Sequence, residues 1–446
     1  MRFISTRLAI TTAAAGVLLV AAIPAARAEA PVGAADPAVV NTWNGIAVST
    51  VAGPAPNGAG KANAEAFLWL GFVHAAVYNA VNGITGEYEL YKWSAKGPKG
   101  ASPQAAAAAG AHRVLMEYFG TGDFVQSPTI AASLDAALAT SLGQIPDGVS
   151  KDQGVRYGER AAEHVIALRE DDGRFAPIVF SPPNPTAPGV WRPTPPAMAP
   201  FFDPWLSQVK PLLVDSASQF RPGAPPAINS ALYLEEFEEV RDYGVNVGSL
   251  RTVGAGSQTE TALFFSDIPI GPIQAGLRDL ANRRAFDISD RARLFAAVDM
   301  SQADTLLSVW DAKYHYGWWR PVTAIREAGT GGPGDADGNP DTVAVAGWTP
   351  LIASPPYPEW PSGLSGIIGT TSTALTLVDG GVDLYLTSTA AGNVTRHYTS
   401  AGSIQQDVID ARVWSGIHFR TADEVGVAMG AQIAAYALAN YFAPAK

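Results

Sequence analysis

The chain has 446 residues, of which 47% are apolar and 16% charged, with no cysteine and a formal net charge of −11. This apolar content excludes intrinsic disorder, and the missing cysteines exclude disulfides, a thiolate nucleophile and thiolate metal sites. Thirty basic against 41 acidic residues argue against nucleic acid as a partner, because binding a phosphate backbone needs a basic face.

At the N-terminus, Arg2 and Arg7 flank the start of an apolar stretch from Leu8 to Ala26, and Ala26-Arg27-Ala28 offers small residues where a signal peptidase reads. The pattern predicts a signal peptide over residues 1–28. Its removal leaves 27 basic against 41 acidic residues, a net charge of −14. The expectation is an exported protein, periplasmic or extracellular, with no membrane span after cleavage and no other run of spanning length free of charge, Pro and Gly clusters.

Apolar residues recur at three- and four-residue spacing over Asn63–Val81, Ala105–Tyr118, Ala131–Leu142 and Gly154–Glu170, which predicts amphipathic helices. Residues 177–226 hold 14 of the 34 prolines and cannot be helix or central strand. Helical patterning resumes over Ala227–Asp242, Ser257–Ser266, Gly276–Asp287 and Ser289–Ala312. A Gly/Pro/Asp loop covers Gly329–Pro358, and three helices follow, over Gly366–Val378, Ser403–Ser415 and Asp423–Tyr441. Strand alternation is scarce. The expected fold is mainly α: one all-α domain over 29–446, built of two packed helical bundles, about 40–175 and about 227–446, with 177–226 as the connection.

The informative region runs from Trp310 to Arg420. Lys313 and Arg320 lie seven apart, which at about 100° per residue puts both on one helix face. Pro321 disfavours helix at Arg320 and places it near the helix C-terminus. Two cations in a Trp- and Tyr-rich segment suit a partly buried anion site, with cation–π packing of a structural helix as the alternative. Prolines prevent helix up to Pro361, so Ser362 is an N-cap candidate whose neighbouring amides, that of Gly363 first, could cradle an oxyanion, although most such caps serve only their helix. Arg412 and His418 are six apart. Gly416 between them allows the helix to end, so both could face one cavity, while a lone histidine is more often structural. Together, Lys313, Arg320, Arg412, helix-terminal amides and one imidazole suit a tetrahedral oxyanion of phosphate type.

The order K-x6-R-P, P-S-G and R-x5-H resembles the signature of the vanadium haloperoxidase and type 2 phosphatidic acid phosphatase superfamily. Intervals of 39 residues between Pro321 and Pro361 and 46 between Leu364 and Ala411 are similar to those of that group. The stretches 72–82, 188–196, 313–326, 348–352 and 416–420 resemble the bacterial vanadium haloperoxidases. The resemblance implies an all-α fold of that type, vanadate as cofactor, and hydrogen peroxide and halide as substrates. It implies that His418 binds vanadium, that Lys313, Arg320, Ser362, Gly363 and Arg412 hold the vanadate oxygens, that Lys313 polarises peroxide, and that Trp310 and Tyr357 line the halide site. Two positions depart from the family pattern. Leu364 stands where P-S-G-H has its acid/base histidine, a group whose loss costs roughly 10²–10⁴ in rate. Ala411 stands where S-R has its serine. The alternatives are an acid phosphatase of the same architecture acting on phosphomonoesters, and a non-catalytic phosphate or vanadate binder. The oligomeric state is left open, with a homodimer among the options.

Other signals carry less. Asp335–Asp341 has the glycine of a calcium loop at the wrong place and reads as a solvated acidic turn. His74, His112 and His164 read as buried structural histidines. Asp304 is a candidate partner for a site cation. His315, about 200° around the helix from Lys313, is a poor replacement for the missing acid.

Overall fold

The computed structural model describes residues 35–61, 63–121, 127–266, 270–329 and 336–446. The signal-peptide expectation over 1–28 and part of the acidic turn, at Asp335, lie outside the described residues.

The fold is mainly α, with thirteen α-helices and a single two-stranded sheet among the described residues. The first helices are α1 (Ala38–Ala52), α2 (Asn63–Thr85), α3 (Pro103–Leu115), α4 (Pro128–Gly143) and α5 (Val149–Leu168). Ser102 and Ser127 cap α3 and α4, each with a proline in the first turn, where its missing N–H costs no hydrogen bond. α3 lies so close to α5 that a Cβ on Gly158 would fall on the Ala106 carbonyl, which is why position 158 is glycine. α2 is long and apolar enough to cross a membrane, contrary to the sequence reading, yet nearly all of it is buried inside the fold against α9, α3 and α5.

Residues 169–230 contain one 3-10 turn, Pro204–Gln208, and otherwise run as irregular chain. Buried side chains satisfy its backbone. Asp304 accepts the amides of Leu212, Leu213 and Val214 at 2.7, 2.7 and 2.9 Å, and Tyr91 and Lys92 donate to the Leu212 carbonyl. Asp304 therefore clamps this connection and pairs with no site cation, correcting the sequence expectation.

The chain continues through α6 (Ala231–Tyr243), α7 (Gln258–Phe264), α8 (Ile270–Arg283) and α9 (Ile288–Tyr316). Then follow α10 (Pro321–Glu327), α11 (Gly363–Asp379), α12 (Ala401–Trp414) and α13 (Arg420–Asn440). β1 (Leu384–Ser388) and β2 (Val394–Tyr398) form an antiparallel hairpin, with Leu384 paired to Tyr398. α9 packs on α2 and also on α11 and α13, so one apolar core runs from the first helices to the last. A smaller core joins α6, α10 and α12.

Three elements escaped the sequence reading: α1, the hairpin and α10. The last carries a consequence. α9 ends at Tyr316 because Gly317 adopts φ 54° as its cap. Arg320 is the N-cap of α10 with Pro321 at its first position, so Pro321 starts a helix instead of ending one. Lys313 and Arg320 thus do not share a helix face. Of the three histidines read as buried, only His74 is: His112 and His164 are partly exposed, on Asp135 and the Lys92 carbonyl. The described part of the acidic turn is built inward. Asp337 and Asn339 are buried, with Asp337 accepting from the Asn339 amide and the Thr342 hydroxyl.

Candidate active site

The site is assembled from helix ends. Lys313 lies in the last turn of α9, Arg320 caps α10, Ser362 and Gly363 open α11, Arg412 lies in the last turn of α12, and His418 sits between α12 and α13. Gly416, at φ 80°, ends the turn after α12 and directs the chain to His418. A close crossing fixes α11 relative to α13. A Cβ on Gly369 would meet the Val427 carbonyl, and one on Gly430 the Gly366 carbonyl. The glycines let the two backbones touch, which sets the spacing between Ser362 and His418.

Lys313, Arg320, Ser362, Glu359 and Asp423 are fully buried, and Arg412 and His418 nearly so. The segment 357–359 ties them together. The Lys313 ammonium donates to the carbonyls of Pro358 and Glu359 at 2.7 and 2.9 Å, and Arg320 Nε donates to that of Tyr357 at 2.9 Å. Arg320 Nη1 donates to the Ile417 carbonyl at 2.8 Å and lies 3.2 Å from His418 Nε2. The Glu359 carboxyl takes the other ring nitrogen, His418 Nδ1, at 2.8 Å and the Phe419 amide at 3.0 Å. This assigns the histidine proton to Nδ1 and leaves the Nε2 lone pair toward the cations. Ser362 bonds Ser365, which donates to Asp423 at 2.8 Å.

Burial dominates the electrostatics. It pushes the Lys313 ammonium and the His418 imidazolium well below their usual ranges, each further lowered by neighbouring cations, and lowers Arg320 to about 10. It also pushes Glu359 up to about 8 and Asp423 up to about 7, against the pull of those cations. Two buried guanidinium nitrogens, Arg320 Nη2 and Arg412 Nε, have no hydrogen-bond partner among the described residues, while Arg412 Nη1 donates to the Phe265 carbonyl at 3.1 Å. Charged donors without acceptors in a dry interior are costly, and an oxyanion supplies what they lack. The residues therefore fit vanadate or phosphate: three cations, two unpartnered N–H groups, a helix N-terminus and an imidazole already oriented by a carboxyl group.

Gly363 and Arg412 also line an adjoining cavity of about 410 Å³. Trp310 and Tyr357 line it as well, their rings 4.9 Å apart. Leu364, half-buried, forms part of the wall and offers no proton. His315 is exposed beside Arg221, away from this group.

The sequence reading missed Glu359 and Asp423. Glu359 had a signal: it is the single charged residue between Asp341 and Asp379. Asp423 had none beyond its place five residues after His418.

Comparison with known proteins gives the same direction. Residues 293–444 match the family model of the VCPO second helical-bundle domain. The chain is 23% identical over 274 residues to a vanadium chloroperoxidase of Curvularia inaequalis, an alignment covering 52% of this chain and 44% of that one, so the chain spans less than half the length of this curated relative. Its structure resembles that of a bacterial vanadium-dependent iodoperoxidase, with a TM-score of 0.72 and 22% identity over 92% of this chain and 96% of the other. It also resembles a holo-type bacterial vanadium-dependent chloroperoxidase, with a TM-score of 0.65 and 18% identity over 89% and 97%. At such identities the structural likeness establishes the fold.

Proposed function

Taking as premise that the chain belongs, through residues 293–444, to the vanadium haloperoxidase superfamily, we propose that it is a vanadate-dependent peroxidase that oxidises halide with hydrogen peroxide. The observation that carries this reading is the pair of unpartnered guanidinium nitrogens, Arg320 Nη2 and Arg412 Nε, buried with a histidine whose Nε2 lone pair is free of a proton. Bound vanadate supplies a Lewis-acidic centre that activates peroxide toward a halide ion. Arg320, Arg412, Lys313 and the Gly363 amide would hold its oxygens, the Ser362 hydroxyl would join them by turning from Ser365, to which it donates at 3.2 Å, and His418 Nε2 would be the protein ligand. Lys313 uses two of its three N–H donors on carbonyls and keeps one for a substrate oxygen. Glu359 keeps the His418 proton on Nδ1. Trp310 and Tyr357 exclude water from the adjoining halide position. The place of action proposed is outside the cytoplasm, after loss of residues 1–28.

Leu364 favours a second reading, a phosphate or vanadate binder without turnover. Its isobutyl group cannot donate a proton, which weighs against a phosphatase even more strongly, because a departing alcohol needs one. The test is an assay of the vanadate-loaded chain with peroxide and bromide or iodide between pH 4 and 8. Halide oxidation, raised at least tenfold in Leu364→His, supports the peroxidase. Tight vanadate binding with no oxidation in either protein leaves the binder.

A further inference from the structure

We propose that Asp423 supplies protons to the oxyanion site through the hydroxyls of Ser365 and Ser362, a route that stands in for the histidine absent at Leu364. This rests on the peroxidase reading. The departure that points to it is at Ser362. Ser102, Ser127, Ser230, Ser257 and Ser400 begin α3, α4, α6, α7 and α12, and each accepts the backbone amide three residues on. Ser362 begins α11 without that bond. Its hydroxyl meets the Ser365 hydroxyl at 3.2 Å instead, and Ser365 reaches Asp423 Oδ1 at 2.8 Å. All three side chains are fully buried. The starts of α11 and α13 are held together: the Ser362 amide donates to the Ala422 carbonyl at 3.0 Å, and a Cβ on Gly426 would meet the Ser362 carbonyl.

Asp423 is built to hold a proton. Its Oδ2 is buried without a hydrogen-bond partner among the described residues, which suits a neutral carboxyl and would strand a carboxylate. Two cations that act on it are engaged elsewhere, Arg420 with Glu239 and Asp410, and Arg412 Nη1 with the Phe265 carbonyl. Burial pushes Asp423 up to about 7 against those guanidinium groups and the two hydroxyls. Lys313, Arg320 and Glu359 are the other charges that act on it. When Ser362 turns to a bound oxyanion, Ser365 can donate to Ser362 and accept from the carboxyl, because a hydroxyl both gives and takes. One O–H bond then breaks at Asp423, each serine passes on its hydrogen while gaining another, and one O–H bond forms at the anion. No electron moves. Hydrogen peroxide brings protons of its own, and the reverse route restores Asp423. α11 turns Leu364 to the cavity wall and the next residue, Ser365, to Asp423, so the route does not need position 364.

Calorimetry of tungstate binding at pH 7.5, in buffers of different ionisation enthalpy, counts the protons taken up without turnover. Wild type is expected to take up protons, because the dianion holds Asp423 in its neutral form. Asp423→Asn, which keeps an acceptor for Ser365, is expected to take up about twofold fewer. Equal uptake in the two proteins overturns the proposal, whether or not the chain oxidises halide. The serine row is read in the rate of halide oxidation. Ser365→Ala keeps the carboxyl and removes the middle hydroxyl; it is expected to be at least tenfold slower, with Ser365→Thr within about threefold of wild type. Tungstate affinity of Ser365→Ala below pH 6 should stay within about threefold of wild type, since only the proton route is cut. A Ser365→Ala rate equal to wild type overturns the route, as does a Ser365→Thr rate as slow as that of Ser365→Ala. Proton uptake that depends on Asp423, in a wild type that oxidises no halide, supports Asp423 as the proton source and overturns the peroxidase reading instead. A folded wild type that binds no tungstate overturns both.

Discussion

At the scale of single residues, the site is governed by how few water molecules its charges see. Glu359 is pushed up to about 8 and Asp423 to about 7 because both are buried. A carboxyl group with a raised pKa is neutral below that value and becomes anionic as pH rises through it. Binding of a dianion of fixed charge, such as tungstate, should therefore be tightest below about pH 7 and weaken through pH 7–8 as these groups ionise next to it. In Glu359→Gln the side chain stays neutral and can still accept from His418 and Phe419, so the fall above pH 7 should be shallower when binding is followed by calorimetry across that range. A steeper or unchanged fall would mean that Glu359 does not titrate there. Removing the acceptor altogether, in Glu359→Ala, frees the imidazole and should cost roughly 10–100-fold in vanadate affinity, the scale seen when a ligand histidine loses its orienting partner.

The residues that hold charge were legible in the sequence for a physical reason. Lys313, Arg320, Arg412 and His418 are scarce residue types, set in order among aromatic and glycine-rich stretches of an acidic chain. What they touch was not legible. Asp304 looked like a partner for a site cation, yet its carboxylate turns to three amides of a segment about 90 residues away, a pairing that sequence distance hides. Glu359 stood beside Ser362 in plain view, but only the folded chain brings it 2.8 Å from a histidine 59 positions later.

At the scale of elements, periodicity located the long helices and failed where local chemistry decides. Pro321 has two opposite meanings, helix stop and helix start, and the neighbouring Gly317 cap selects the second. The hairpin is short, and α1 buries Asn41, Asn44 and Thr50 along with its apolar residues, which blurs its periodicity. The crossing of α11 and α13 is the element-level feature on which the site depends. Because a Cβ at Gly369 or Gly430 would meet a backbone carbonyl, the helices must separate to admit one. Gly369→Ala and Gly430→Ala should each lower stability by about 1–3 kcal/mol in denaturant unfolding and loosen oxyanion binding at the same time. Gly381→Ala, at a position with nothing nearby, is the control and should do neither.

At the scale of the whole molecule, α9 is the shared wall. It packs on α2 at one side and on α11 and α13 at the other, holds the irregular connection through Asp304, and ends in Lys313. Asp304→Ala leaves three buried amides without an acceptor and should cost about 3 kcal/mol or more in unfolding free energy. A second buried cluster, Asp299 with Gln274, Asn44, His74 and Arg278, ties α9 to α1, α2 and α8. Burial pushes Asp299 up to about 8, so the folded state holds its proton where the unfolded state has released it. The stability this provides is full below about pH 4 and lost as pH rises to about 8. His74, lowered to about 3 by burial, contributes the opposite slope, lost as pH falls from about 6.5 to 3. Between pH 6.5 and 8 only the Asp299 slope remains of the two, and Asp299→Asn should flatten the decline in thermal midpoint across that interval.

The central claim is that three buried cations, Lys313, Arg320 and Arg412, with the N-terminus of α11 and His418, form one oxyanion cradle for vanadate. It is tested most directly by the vanadium retained per chain after incubation with orthovanadate and exhaustive dialysis, measured by elemental analysis on wild type, His418→Ala and Arg320→Ala. The account predicts close to one vanadium per chain in wild type and at least tenfold less in both variants. Equal retention in all three proteins, or none in a folded wild type, would contradict it.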